Sequence, residues 1–211
     1  MKHMLTTEFR KASESDSRRL LVVLHGLGDS TAGYRWLPPV LELPWMNYLL
    51  VNGPDPYFGG FSWYDFIGDF GPGVRRSRAL LFELLDAQRA NGFPTEQTTL
   101  FGFSQGCVMT IEVGLSYPHH LAGLVGISGA VHEPEKLVEQ LAPLAFQQRF
   151  LVTHGTDDTM LPFAQTREQI NILKAAGLRI EWREFVKGHT IAGEEELDAI
   201  RNFVVAGYPR P

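Results

Sequence analysis

The sequence predicts an α/β fold: one mostly parallel sheet with helices on both of its faces. Two observations predict it. Short, continuously apolar runs alternate along the chain with longer stretches whose apolar residues recur every three or four positions. Most of the runs also lack the polar alternation of a half-exposed strand, as expected where helices cover both sides of a sheet.

Taken in order, residues 20–25 (LLVVLH) form the first strong strand, which stops at a glycine-rich turn, and residues 46–52 form the second. Thr98–Phe103 (TTLFGF), 121–127 (LAGLVGI) and 150–154 (FLVTH) follow, and 179–185 (RIEWREF) alternates as an edge strand does. Helical spacing covers 76–88, 105–117, 133–141, 163–176 and 193–205. Gly177 closes the fourth of these as a C-cap glycine. No internal repeat, low-complexity tract or linker-like boundary interrupts the pattern. One domain over residues 1–211 is expected, opening on a polar segment at 1–18.

Composition narrows the function classes. The chain has 211 residues, 44% of them hydrophobic, and its 19 Lys+Arg against 24 Asp+Glu leave a net charge of −5. A length near ~150 residues per domain suits a single domain, and such a chain buries about 70% of its unfolded surface. The acidic balance, with no compensating basic cluster, argues against nucleic acid as a partner. A single cysteine excludes an intramolecular disulfide and a cysteine-based zinc site, and 14 Phe with 4 Trp argue against disorder. The first 19 residues are polar and mixed in charge, without the apolar core of a secretory signal. The longest apolar runs fall far short of the ~20 residues that span a bilayer. A cytoplasmic location without stable membrane insertion is therefore expected.

In parallel sheets, functional groups gather just beyond the carboxyl ends of strands. Gly102-Phe103-Ser104-Gln105-Gly106 has the form G-x-S-x-G, with an apolar strand running in and a helical pattern running out. Such a turn strains the serine backbone and demands small residues two before and two after it. It lifts Ser104 Oγ above the sheet and sets its neighbours at a helix N-terminus, where free N–H groups hold an anion. A glycine-flanked turn whose serine merely caps the helix is the plainer alternative.

A serine hydroxyl needs a base, usually a histidine oriented by a carboxylate. On this architecture the chain order is serine, acid, histidine. Of the seven histidines, only His189 follows the loop from His154 to Asp158, and it lies in a loop after the last strand. Strand 150–154 delivers Asp157 and Asp158 together, and spacing alone does not choose between them. His154 beside two carboxylates suggests a metal site, but no further ligand stands at a usable spacing. The oxyanion donors expected are the backbone N–H groups of Gln105 and, from the loop His25-Gly26-Leu27-Gly28-Asp29, of Leu27. That loop lacks the G-K-[ST] ending of a phosphate-binding loop.

These motifs resemble the phospholipase/carboxylesterase family of small α/β-hydrolases, which includes acyl-protein thioesterases and bacterial carboxylesterases. The resemblance is carried by Leu24 to Asp29, Ser62-Trp63-Tyr64-Asp65, Gly102 to Gly106, His154-Gly155-Thr156-Asp157-Asp158 with Pro162, and Gly188-His189. The blocks keep the family's order and run from about residue 20 to 190. The resemblance implies an α/β-hydrolase fold without a separate lid domain. Its H-G-x-x-D pattern assigns the acid to Asp158, which gives Ser104, Asp158 and His189 as a triad, and it supports Leu27 and Gln105 as oxyanion donors. The chain departs from the family pattern at Cys107, where a second glycine is usual, and Cys107 reads as a small core residue. It also departs at Thr159-Met160-Leu161, and the segment between Asn52 and Trp63 is short, which bears on acyl-channel length.

On the substrate side, the aromatic loop Tyr57 to Tyr64, with Phe61 and Trp63, and the pair Met160 and Leu161 are expected to form an apolar acyl groove. Burial of Phe61 and Trp63 as core is the competing reading. The function implied is a serine carboxylic-ester hydrolase working through an acyl-enzyme on short-to-medium acyl esters, with no cofactor. Lysophospholipase or acyl-protein thioesterase activity on long chains is the second reading. A catalytically silent hydrolase-fold protein that binds a hydrophobic small molecule is the third. The partner is a small-molecule ester or thioester, and the apolar loop leaves room for a homodimer.

Overall fold

The computed structural model describes residues 5–191 and 193–208. The strands are β1 (Thr7–Arg10), β2 (Leu20–Leu24), β3 (Asn47–Val51), β4 (Asp55–Tyr57), β5 (Gly60–Ser62), β6 (Thr98–Phe103), β7 (Gly123–Ile127), β8 (Phe150–Gly155) and β9 (Ile180–Phe185). The helices are α1 (Leu37–Leu41), α2 (Gly71–Ala90), α3 (Gln105–Ser116), α4 (Pro134–Glu139), α5 (Phe163–Ala175) and α6 (Glu194–Ala206).

Among the described residues, seven strands form one sheet in the order β1-β3-β2-β6-β7-β8-β9. Every neighbouring pair is parallel except β1 with β3. β4 and β5 make a separate antiparallel hairpin. The expected mostly parallel, helix-covered sheet is thus found, and β9 is one of its two edges, β1 being the other.

The period of two along β2 sorts the layers. Leu20, Val22 and Leu24 face a cluster built with Val74, Leu81 and Leu85 of α2, the apolar side of α3, and Ile170 and Leu173 of α5. Leu21 and Val23 face the opposite cluster, with Leu37 and Leu41 of α1 and Ile200, Phe203 and Val204 of α6. All five residues of β2 are buried, so the run is apolar without alternation. Each such side chain contributes about 1.5–3 kcal/mol on burial. α3 is buried from Gln105 to Leu115 because it lies between the sheet and α2.

Four elements go beyond the sequence reading. Part of the polar opening segment is β1, where Thr7 to Arg10 pair antiparallel with Val51 to Tyr48; residues 1–4 lie outside the described residues. α1 starts on Leu37-Pro38-Pro39, where proline is tolerated because first-turn N–H groups lack helical partners anyway. The hairpin of β4 and β5 fills the short segment before Trp63. α2 begins at Gly71, five residues before the apolar spacing declares it, with a proline in its first turn. Gly177, at φ 94°, follows α5 and donates its N–H to Lys174 O at 2.9 Å, as a C-cap glycine does.

Candidate active site

β6 runs straight into a sharp turn at Ser104, and α3 begins at the next residue. Ser104 has φ 54° and ψ −115°, a conformation that costs a residue with a side chain about 1–3 kcal/mol. Its N–H donates to Ile127 O at 2.9 Å, and its carbonyl accepts the N–H groups of Cys107 (3.0 Å) and Val108 (3.2 Å). The flanking glycines make the turn fit: a Cβ on Gly102 would strike the Gly106 carbonyl, and one on Gly106 the Leu24 carbonyl. Cys107 is buried as a core residue, and burial pushes its thiol up to about 12.

Three parallel strands bring the titratable groups together at one end of the sheet. His189, in the loop after β9, places Nε2 2.9 Å from Ser104 Oγ and Nδ1 2.8 Å from Asp158 Oδ2. Asp158, in the loop after β8, spends its other oxygen on the backbone: Oδ1 accepts the N–H groups of Met160 and Leu161, each at 2.9 Å. Burial alone would raise the Asp158 pKa. The Leu161 N–H, the His189 imidazole and the Met160 N–H outweigh it and hold the carboxyl below its ordinary value. Asp157 is exposed, its backbone N–H engaged by Lys187 O at 3.1 Å. Of the two aspartates, Asp158 is the one that meets the histidine.

His154 is a brace for the same loop. Its Nε2 donates to Leu161 O at 2.9 Å, and its ring stacks on Trp182 with centroids 5.8 Å apart. Burial lowers its pKa, so it stays neutral at pH 7.

The loop after β2 supplies the other wall. Gly28 N–H donates to Phe61 O and Phe61 N–H to Asp29 O, both at 2.9 Å, which pins the loop to β5. His25, buried beneath, donates from Nδ1 to Gly26 O (2.6 Å) and accepts the Gly53 N–H at Nε2 (2.9 Å). Leu27 and Gln105 both border the cleft at Ser104. The Gln105 N–H, at the first helical position, has no helical acceptor, and the Leu27 N–H has no acceptor among the described residues. Two backbone donors are therefore left unengaged beside the Ser104 turn.

The cleft over Ser104 and His189 encloses about 740 Å³. Met160 and Leu161 border it as the sequence suggests, with Met160 71% exposed. Trp63 and Phe61 do not. Trp63 is fully buried, and its indole N–H donates to His25 O at 2.9 Å. Phe61 uses its backbone to hold the Leu27 loop, and its ring tilts against His25 with centroids 6.4 Å apart. Both support the loop from behind: Phe61 through its backbone bonds to Gly28 and Asp29, and Trp63 through its bond to His25 O. From the expected aromatic loop it is the two ends, Tyr57 and Tyr64, that border the cleft, and Phe66 and Phe70 extend that wall. Val108, Val131 and Gln169 complete it, drawn from α3, the loop after β7 and α5, whose convergence no local pattern announces.

The parallel sheet and the strained serine turn at the end of its β6 define an α/β-hydrolase. Within that class the chain belongs to the phospholipase/carboxylesterase family, whose model matches residues 7–206. It is 31% identical over 159 residues to acyl-protein thioesterase 1 of Schizosaccharomyces pombe, covering 67% of this chain and 69% of that protein. Among solved structures, esterase PE8 superposes with a TM-score of 0.85 at 25% identity, covering 97% of this chain and 100% of the other. Carboxylesterase SOBER1 of Arabidopsis thaliana superposes with a TM-score of 0.82 at 26% identity, covering 90% of this chain and 98% of the other. Among the described residues, no helix is long and apolar enough to cross a membrane.

Proposed function

We propose that the protein is a serine carboxylic-ester hydrolase acting on short-to-medium acyl esters through an acyl-enzyme at Ser104. The observation that carries this reading is the continuous hydrogen-bonded row Ser104 Oγ, His189, Asp158, with spacings of 2.9 and 2.8 Å. His189 Nε2 takes the hydroxyl proton as Oγ attacks the acyl carbonyl, and Asp158 fixes the tautomer and stabilises the imidazolium. The Leu27 and Gln105 N–H groups receive the oxyanion; one such donor is worth about 3–4 kcal/mol in the transition state. His189 then protonates the leaving alcohol and activates the water that frees the acid. No step calls for a cofactor or a metal.

The cleft supports the chain-length choice. Its walls carry His132, Glu133, Gln165 and Gln169 among the apolar residues. A long saturated chain would cover these polar groups without replacing their water, which costs free energy for each group left unpaired. The thioesterase name of the yeast relative supports the second reading, hydrolysis of long-chain thioesters. Hydrolysis rates for p-nitrophenyl esters from acetate to palmitate separate the two. An optimum between butyrate and octanoate is expected, whereas an optimum at palmitate transfers the proposal to long chains. Folded protein inactive on the whole series would favour the binding-protein reading.

A further inference from the structure

A buried ion pair lies beneath the loop that carries His189, and the hydrolytic steps above do not use it. Lys187 Nζ and Glu196 Oε1 are 2.6 Å apart, with side chains 3% and 0% exposed. The same Glu196 oxygen accepts the Thr153 hydroxyl of β8 at 2.6 Å. Lys187 Nζ makes a further bond, to Thr190 O at 2.7 Å. The Lys187 carbonyl meanwhile accepts the Asp157 N–H at 3.1 Å. His189 therefore sits between two fixed points, both supplied by Lys187. One ties its loop to the loop of Asp158, and the other ties it to α6 and β8.

We propose that Lys187, anchored by Glu196, is a positioning residue that holds the imidazole of His189 in line between Ser104 and Asp158. The inference rests on the hydrolase reading above and extends it to residues outside the reacting groups. Stability alone is a weak account of the pair, since a buried ion pair can often be replaced by neutral groups without loss. What neutral groups would not replace is the ammonium bond to Thr190 O, one residue past His189. A histidine displaced by a fraction of an ångström from a hydroxyl 2.9 Å away loses the alignment on which proton transfer depends.

The test is the double variant Lys187→Met, Glu196→Gln, which removes both charges and leaves an amide for the Thr153 hydroxyl. The expected result is a folded protein with an unfolding midpoint near wild type. Its kcat on p-nitrophenyl butyrate falls about 10- to 100-fold, with KM within about twofold. The rate at which a small fluorophosphonate labels Ser104 falls by the same factor. A folded variant with wild-type kcat and labelling rate overturns the proposal. Hydrogen–deuterium exchange on the wild type gives a reading independent of any variant. The Asp157 amide, which donates to the Lys187 carbonyl at 3.1 Å, is expected to exchange far more slowly than an open loop, and exchange at the rate of an open loop overturns the proposal. Wild-type protein that is not labelled at Ser104 overturns the hydrolase reading itself, a failure distinct from equal labelling of both proteins.

Discussion

Gln105 Oε1 accepts the backbone N–H of Trp63 at 3.0 Å. The residue proposed to give its own N–H to the oxyanion thus uses its side chain to hold the segment behind the cleft. The same amide accepts the Ser62 hydroxyl at 3.2 Å and donates to Tyr64 O at 2.9 Å. Backbone and side chain of one residue couple the start of α3 to the aromatic wall.

Gln105→Leu leaves the buried Trp63 N–H unpaired, at a cost of about 1–3 kcal/mol, while the Ser62 hydroxyl and Tyr64 O keep each other at 2.7 Å. A loss of about 1–3 kcal/mol in urea unfolding is expected, together with reduced kcat/KM. Unchanged stability would mean that these bonds do not hold the segment.

Trp63→Phe removes the indole bond to His25 O and part of a fully buried ring system. Stability should drop by about 1–3 kcal/mol, with KM for short esters within about twofold of wild type. A large change in KM at unchanged stability would return Trp63 to the cleft wall.

Asp158 gives a pH signature. Its pKa is held below the ordinary 3.8 in the folded chain, so the unfolded chain binds the proton more tightly. The resulting stability is complete above 3.8 and is lost as pH falls through the lower folded value. Wild type should therefore exceed Asp158→Asn in stability at pH 7, with the margin closing in acid. Activity of Asp158→Asn should fall by about 10⁴-fold, because the amide favours the wrong imidazole tautomer. A margin that persists in strong acid would contradict the ionic account.

Glu112 has the opposite sign. Burial raises its pKa from 4.5 to about 6, against the Arg78 guanidinium, which lies 3.2 Å away. Its contribution is favourable below the unfolded value of 4.5 and is lost as pH rises through about 6. Glu112→Gln is expected to melt higher than wild type at pH 8, by the equivalent of about 2 kcal/mol. Little difference should remain at pH 4, and a lower melting point at pH 8 would show that the Arg78 pair outweighs burial.

Much of this was legible in the sequence, for reasons particular residues make clear. β2, β3, β7 and β8 are buried throughout, so their apolar runs stand out without partners. Gly102 and Gly106 mark the turn because backbone lies where their side chains would be. The chain order brings Ser104, Asp158 and His189 to one end of a parallel sheet. β1 stayed hidden because TEFR is short and mostly exposed, and its strand character comes from pairing with β3. Trp63 and Phe61 misled because an aromatic beside a glycine-rich loop looks the same whether it lines a groove or braces one from behind. Lys187 gave no signal at all, since a lysine two residues before a loop histidine reads as solvated until Glu196 closes over it.

The central claim is that Ser104 is the nucleophile, and the most direct test is the kcat/KM of Ser104→Ala on p-nitrophenyl butyrate beside wild type. A fall of about 10³-fold or more is predicted, to the residual rate that binding and the oxyanion donors supply without a nucleophile. Folded Ser104→Ala that keeps wild-type activity would contradict it.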